Sequence, residues 1–563
     1  MTAEILSHKI RQNSIIKGIR VFGSEIKLSQ FADDTNLFCA HVASAEQALE
    51  TMNAFGNFSG LVLNVEKTKA FWLGKWLNNR TKPLGMKWMN TPTKLLGIYV
   101  SYDEKGNNQM NFNLKVQKLQ TNLDIWKSRG LTLYGKVLII KSLGLSNLIY
   151  SISNVYVPRD IGPMVKDKMF RFLWKNKKDK IKRTSMYQDL STGGLRMVDI
   201  ELTIKSLRLA WIKRLLFRDN CNWKIVPDYF LNKHGGLNFL LRCNYDIKYL
   251  RHIPTFYRDI LIAFDEIKTL YNYDQGSDTI LFSNKDILVD GKPLFIREWF
   301  TKGIHTIQQL LNVIGQYLTF QEFQAKYHCS TNFLQFYQVL SAIPVRLKHR
   351  ARVLGQNAIS NYRENWESFL LSETSQINFE TYRARDYYRL LLVKKYQSPH
   401  TGPERWERDI SIDTVNWTDV FETTSKTCRE NKLKEFQFKF IHSIVITKRE
   451  LFRYGINTDS DCIYCGEPDS INHTFVDCEF TKTFTNKVIN WFNTQNGSNF
   501  QPDTKDTLFA TFKHPTWVEL VRKFNYTLLF MKFYVYVSKL NNSSLVLAEF
   551  ITRINYKYKV ENL

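Results

Sequence analysis

Leu28-Ser29-Gln30-Phe31-Ala32-Asp33-Asp34-Thr35-Asn36-Leu37-Phe38 sets two adjacent carboxylates between two strand-like runs. Glu25 to Phe31 alternates polar and apolar as a half-buried strand does, and Leu37-Phe38-Cys39 resumes the apolar character beyond the acidic pair. The pattern predicts a β-hairpin that carries Asp33 and Asp34 off the rim of a sheet, where carboxylate oxygens suit a hard divalent cation such as Mg2+. Asp is also an ordinary turn residue, so the flanks decide between a metal site and a plain acidic turn.

Upstream, Thr2 to Gln12 reads as a helix through Ile5, Leu6 and Ile10, and Ile15 to Phe22 as a strand turned by Gly23-Ser24 into the next. Downstream, Ser44 with Gln47 three residues on predicts the N-cap of an amphipathic helix. Its Ala48, Leu49, Met52, Phe55 and Phe58 would face the sheet, and Gly60 would end it. Leu61 to Trp72 reads as strand, charged turn and strand, and Lys94 to Val100 as one more short strand.

The 563 residues, 44% hydrophobic and 14% aromatic, are enough for several packed cores, which excludes a mainly disordered chain. Lys plus Arg number 78 against 53 for Asp plus Glu, so the net charge of +25 points to a polyanionic partner, nucleic acid before anionic membrane. No apolar run reaches bilayer length, so no membrane partner is expected. Met1-Thr2-Ala3-Glu4 lacks a signal-peptide pattern, so secretion is not expected either. Of eight cysteines, at 39, 221, 243, 329, 428, 462, 465 and 478, three cluster beside His473. That distribution fits a reduced, intracellular compartment with one metal site rather than a disulfide framework. Cys462-x2-Cys465-x7-His473-x4-Cys478, with Gly466 in the turn after the second thiol, supplies three thiolates and an imidazole for a closed, structural Zn2+ site. The alternative is three buried free cysteines beside a surface histidine.

The order of the N-terminal pieces resembles the palm of LINE-type reverse transcriptases, the enzymes of retrotransposons without long terminal repeats. In that family an Ala-Glu-Ile-Leu helix end and an Ile-Lys-Gly-Ile strand precede a Phe-Ala-Asp-Asp turn. A Ser-Gly-Leu-x-Leu-Asn-x-x-Lys-Thr segment and a Leu-Gly-Ile strand follow it. Here these are Ala3 to Leu6, Ile16 to Ile19, Phe31 to Asp34, Ser59 to Thr68 and Leu96 to Ile98. The resemblance implies that Asp33 is the essential Mg2+ ligand and catalytic carboxylate, with Asp34 its supporting neighbour. It puts Lys67 near the incoming nucleotide, unless Lys67 is a solvated turn lysine, and makes Leu96-Gly97-Ile98 a primer grip or else a plain core strand. Two-metal nucleotidyl transfer takes a third, upstream carboxylate. The family carries this Asp and its fingers before the Ala-Glu-Ile-Leu segment. The expectation is therefore a chain inactive alone, with Mg2+ held only when the palm is completed.

Trp126 to Leu143 resembles the same family's thumb, with Thr132 where the family has Ser, and Lys136 and Lys141 are expected at phosphates. From 166 to 183 nine basic residues face two Asp. Among them Arg171, Lys175, Lys177, Lys178, Lys180, Lys182 and Arg183 are candidate phosphate contacts, interleaved with Phe170, Phe172 and Trp174. The alternative is a solvated loop over three core aromatics. Gly193-Gly194-Leu195 and a helix from Thr203 to Phe217, with Leu207, Trp211 and Leu215 on one stripe and Lys205, Arg208, Lys213 and Arg214 as its basic residues, also match. Segments at 436–442 and 448–456 resemble the helix pair leading into the family's C-terminal knuckle, whose Lys448 and Arg449 would meet RNA or single strands. From 220 to 430 no chemical motif appears, and helices are expected over Ile304 to Phe323 and Asn332 to Ala342.

The expected fold is α+β: a partial palm over 1–104, a helical thumb with the basic segment over 105–219, a mainly helical linker over 220–430 and a module with a zinc knuckle over 431–563. The resemblance implies an RNA-directed DNA polymerase with an RNA template and a DNA primer as partners, working in nucleus and cytoplasm. A non-catalytic nucleic-acid-binding protein derived from such an element is the alternative.

Overall fold

The computed structural model describes all residues except 1, 33, 90–91, 102, 218–220, 271–278, 355–367, 373–374, 397–400, 411–414 and 562–563, with the side chains at 2, 269–270, 368–372, 375–376, 401, 409–410 and 425 also left out. Described residues are mostly helical, with small two-stranded sheets, an α+β chain. Two compact units are present, one of Met1–Leu114, Ser151–Pro158 and Thr203–Arg389, the other of Lys115–Tyr150, Arg159–Leu202 and Leu390–Leu563.

In the first unit the Thr2–Gln12 helix precedes two antiparallel hairpins. β1 (Ile19–Val21) pairs with β2 (Ser24–Ile26), and β3 (Leu28–Phe31) with β4 (Asp34–Leu37). Leu6, Ile10, Ile16, Leu28, Ala48 and Phe55 form a buried cluster that joins the first helix, β3 and the Val42–Ser59 helix. Gly18, just before β1, is required by close approach, because a Cβ there would lie 2.3 Å from the Ile26 carbonyl oxygen.

Several local expectations are corrected. The N-cap position of the 42–59 helix is His41, not Ser44. Ser44 instead is buried and its hydroxyl accepts from the Lys17 amide at 3.0 Å, tying the helix to the segment that leads into β1. Phe58 is 87% exposed rather than packed on the sheet, being one residue off the stripe that Phe55 defines. Leu96-Gly97 is a turn, with Leu96 at φ +44°, between β7 (Thr93–Leu95) and β8 (Ile98–Val100), so Lys94 to Val100 is not one strand. Residues 61–64 likewise form no strand; after them β5 (Lys69–Ala70) pairs in parallel with β6 (Lys87–Trp88).

Farther along this unit, Arg208 of the Ile200–Phe217 helix is 1% exposed, not a surface cation. Its guanidinium donates to the carbonyls of Ile152 and Val155, both at 2.6 Å, and Trp211 Nε1 donates to Ser153 O at 2.6 Å. These bonds satisfy carbonyls that a helix C-terminus leaves unpaired. Over 304–323 the expected helix is replaced by a short 3-10 turn at Ile307–Leu310 and the start of the Phe320–Tyr327 helix, whereas Phe333–Ala342 is helical with Asn332 as its cap.

In the second unit the Thr132 hydroxyl accepts from the Gly135 amide at 3.1 Å and caps the helix beginning at Leu133. That explains why Thr can stand for Ser there. The helical run continues over Leu133–Asn154, its last four residues counted in the first unit, and, contrary to expectation, is long and apolar enough to cross a membrane, but 44% of its apolar window is buried within the chain. Phe170, Phe172 and Trp174 of the basic segment are buried core residues. The helices Trp417–Thr427, Asn431–Ile441, Glu479–Asn496, Val518–Leu540 and Leu547–Glu561 surround an aromatic core that includes Phe421, Phe436, Phe440, Phe484, Phe492, Phe524 and Phe550.

Candidate functional site

Cys462 opens a tight turn in which the Gly466 amide donates to the Cys462 carbonyl at 2.9 Å and the Cys462 amide to Glu467 O at 2.7 Å. This directs Cys462 and Cys465 toward one point. His473 follows on a short helical turn, and the Cys478 amide closes back on the His473 carbonyl at 2.9 Å. Cys478 then occupies the N-cap position of the Glu479–Asn496 helix.

The four ligand atoms lie within 4.8 Å of one another, with Cys465 Sγ 3.1 Å from His473 Nε2 and Cys462 Sγ 4.0 Å from Cys478 Sγ. A tetrahedral zinc with bonds of about 2.3 Å to sulfur and about 2.0 Å to nitrogen needs ligand separations of roughly 3.5–3.8 Å, so the set fits the ion. Cys462 and Cys478 are buried, which suits a structural site. Burial opposes ionisation of Cys462, but the Tyr464 amide, the Lys539 ammonium and His473 outweigh it and hold that thiol below its ordinary range. Cys465 is pushed up to about 11 by desolvation and then by the neighbouring sulfurs.

The acidic hairpin faces a cleft of about 1330 Å³ in the first unit, lined by Asp34, Lys67, Trp72, Trp76 and Trp88 among others. Asp34 is exposed and is the first residue of β4, paired with Phe31, the last residue of β3, and Ala32 has φ +53°. Asp33 itself lies outside the described residues. Lys67 is exposed on an Asx turn, its amide donating to Asn64 Oδ1 at 3.0 Å. Trp72 stacks on Trp88 with ring centroids 4.3 Å apart, and each indole N–H donates to a backbone carbonyl, of Thr81 and Pro83 respectively.

Of the expected phosphate contacts, Lys175, Lys177, Lys178, Lys180 and Lys182 are exposed and follow one another on the loop after the Ile161–Leu173 helix. Arg171 pairs with Asp167 at 2.8 Å, and Arg183 with Asp179 at 2.6 Å while lying over the Phe170 ring. Lys141 is half-buried, and burial and Arg196 both lower its pKa. Lys136 is corrected: it is buried, its ammonium donates to Leu173 O at 2.7 Å, and burial first, then Lys175, lowers it to about 8. Lys448 spends its ammonium on Asp459 at 3.3 Å with its side chain 13% exposed, whereas Arg449 is exposed.

Sequence reasoning missed Lys439, whose charge reaches both Lys136 and Lys180, and it missed Asp469 and Lys539 beside the cysteines. A carboxylate four residues before a ligand histidine was the available signal for Asp469. Lys539 left none, being distant in sequence.

Residues 408–484 match a family of zinc-binding domains in reverse transcriptases, and all four sulfur and nitrogen ligands fall inside the matched segment. The match and the clustered ligands together support a reverse-transcriptase-related protein with a structural zinc site.

Proposed function

We propose that this chain is the palm-to-knuckle part of a LINE-type reverse transcriptase, an RNA-directed DNA polymerase. The observation that carries the reading is a segment matched to zinc-binding in reverse transcriptases, with its complete Cys3His ligand set, in the same chain as the ordered motifs around Phe31-Ala32-Asp33-Asp34. In this reading Asp33 and Asp34 are two of the carboxylates that hold Mg2+, and Lys67 lies toward the incoming nucleotide. The exposed cations at 175, 177, 178, 180 and 182, with Arg171, Arg183 and Arg449, grip the RNA template and DNA primer by their phosphates. Zinc is structural and takes no part in the reaction. The protein works in nucleus and cytoplasm, where its template and target lie.

Two carboxylates from one hairpin are fewer than a two-metal site takes. The purified chain therefore binds an RNA–DNA template-primer without extending it. The test is binding and extension on one labelled RNA–DNA substrate with Mg2+. Extension abolished by Asp34→Asn would overturn inactivity of the chain alone, and absence of binding at low salt would overturn the polymerase reading.

A further inference from the structure

Asp469 and Lys539 form an ion pair at 2.8 Å whose side chains are 3% and 4% exposed. A buried pair of this kind stabilises a fold little by itself, since desolvation offsets attraction, yet breaking it leaves an uncompensated charge. Its value lies in what it holds in place. Asp469 stands four residues before His473, and Lys539 in the last turn of the Val518–Leu540 helix, beyond the segment matched to zinc-binding domains.

Every polar atom of the pair is engaged around the cysteines. Asp469 Oδ1 accepts from Lys539 Nζ and, at 2.7 Å, from the Thr474 hydroxyl, and Oδ2 accepts from the Lys448 amide at 3.3 Å. Lys539 Nζ also donates to Thr474 Oγ1 at 3.3 Å. Tyr464, between the two cysteines of the turn, has its ring 5.7 Å from the Lys539 ammonium, and its hydroxyl donates to Ser543 O at 2.8 Å. One ammonium thus faces the limb bearing Cys462 and Cys465 through the Tyr464 ring and, through Asp469 and Thr474, the limb bearing His473.

We infer that Lys539 is a positioning residue of the zinc centre, so that zinc retention and docking of the 518–540 helix are one coupled equilibrium. The inference rests on zinc occupying the Cys3His set. Three thiolates around a divalent ion carry a net charge of −1, and a buried cation held beside the turn that bears two of them offsets it. The helix that supplies the cation is therefore a component of the metal site, and the zinc-folding unit extends to Ser543. By linkage, whatever the helix contributes to zinc affinity, zinc returns to helix docking.

The test uses the full chain, with zinc transfer to a competing chelator and amide exchange over 530–543 as separate readouts. Lys539→Met is expected to weaken zinc retention about 10–100-fold, the range for partners of metal ligands. Lys539→Met/Asp469→Leu, which leaves no orphaned charge, is expected to regain thermal stability without regaining zinc affinity, a split that a purely structural pair would not give. Stripping zinc from the wild type is expected to raise exchange at 530–543 along with 460–478. Wild-type zinc affinity in folded Lys539→Met, or unchanged protection at 530–543 after stripping, would overturn the inference. If Lys539→Met does not fold, the wild-type stripping arm decides. A wild type that holds no zinc overturns the zinc reading and the inference with it, whereas an indifferent Lys539 in a zinc-loaded chain overturns the inference alone.

Discussion

Gly194→Ala should loosen the turn that ties the basic segment to the zinc half of the second unit. A Cβ at position 194 would fall 1.9 Å from the carbonyl oxygen of Gln188 and 2.3 Å from its carbon. These are backbone atoms, so no rotamer change relieves the clash. Carbon and oxygen settle at about 3.3–3.6 Å, and the two backbone segments must part by more than about 1 Å. The Gly194 amide bonds Asp189 O at 2.7 Å and the Arg196 amide bonds Gln188 O at 2.9 Å, and both bonds stretch. His442 Nε2, which lies 2.8 Å from Gly193 O, loses its alignment as well. At about 1 kcal/mol for each stretched bond and more where a buried group is left unpaired, the sum is roughly 3 kcal/mol. Gly130→Ala is the control, since nothing lies within 4 Å of a Cβ there, and it should be neutral or stabilising by up to about 1 kcal/mol. Amide exchange at 186–197 should then quicken about a hundredfold in Gly194→Ala and not in Gly130→Ala. Equal protection in the two variants would refute the reasoning.

Replacing Lys177, Lys178, Lys180 and Lys182 by Ala should weaken template-primer binding and flatten its dependence on log salt by about 0.9 for each phosphate no longer neutralised, whereas Lys136→Ala should lower stability and leave the slope alone; fluorescence anisotropy from low to moderate salt separates them. Thr132→Ala removes the cap bond to the Gly135 amide and should cost about 1 kcal/mol, with Thr132→Ser near neutral, read as faster exchange in the first turn after Leu133. Lys268 is buried, and burial lowers its pKa to about 8, while its ammonium donates to Cys243 O at 2.8 Å. The unfolded chain keeps that proton to about 10.4, so between these values it binds more protons than the folded chain and stability rises with pH, by up to about 3 kcal/mol. The wild type minus Lys268→Met difference in urea midpoint should therefore grow from pH 8 toward pH 10, and a difference independent of pH would count against it.

Features that local periodicity or spacing encodes were legible in the sequence. The hairpins before Phe38, the helix up to Gly60 and the Cys462, Cys465, His473, Cys478 set each depend on neighbours within about twenty residues. What escaped depends on tertiary contact. Arg208 and Lys136 look like surface cations by type, yet each is buried because it satisfies helix-end or loop carbonyls, those of Ile152 and Val155 in one case and of Leu173 in the other. Ser44 carries a capping-box pattern, but its hydroxyl accepts from Lys17 instead. Leu96-Gly97 reads as strand by apolar content, while Gly97 at φ +85° closes a turn. Phe170, Phe172 and Trp174 interleave with basic residues as a stacking surface would, and still pack inward, because the end of the Ile161–Leu173 helix is enclosed on more than one face, with Met169 and Leu173 buried as well.

The most direct test of a reverse-transcriptase-related chain with a structural zinc site is the metal content of the purified 563-residue protein, beside that of Cys462→Ser/Cys465→Ser. One zinc per chain in the wild type, and none in the variant with the region after about 430 unfolded, is the predicted result. A wild type without zinc, or a variant that keeps one zinc per chain, would contradict it.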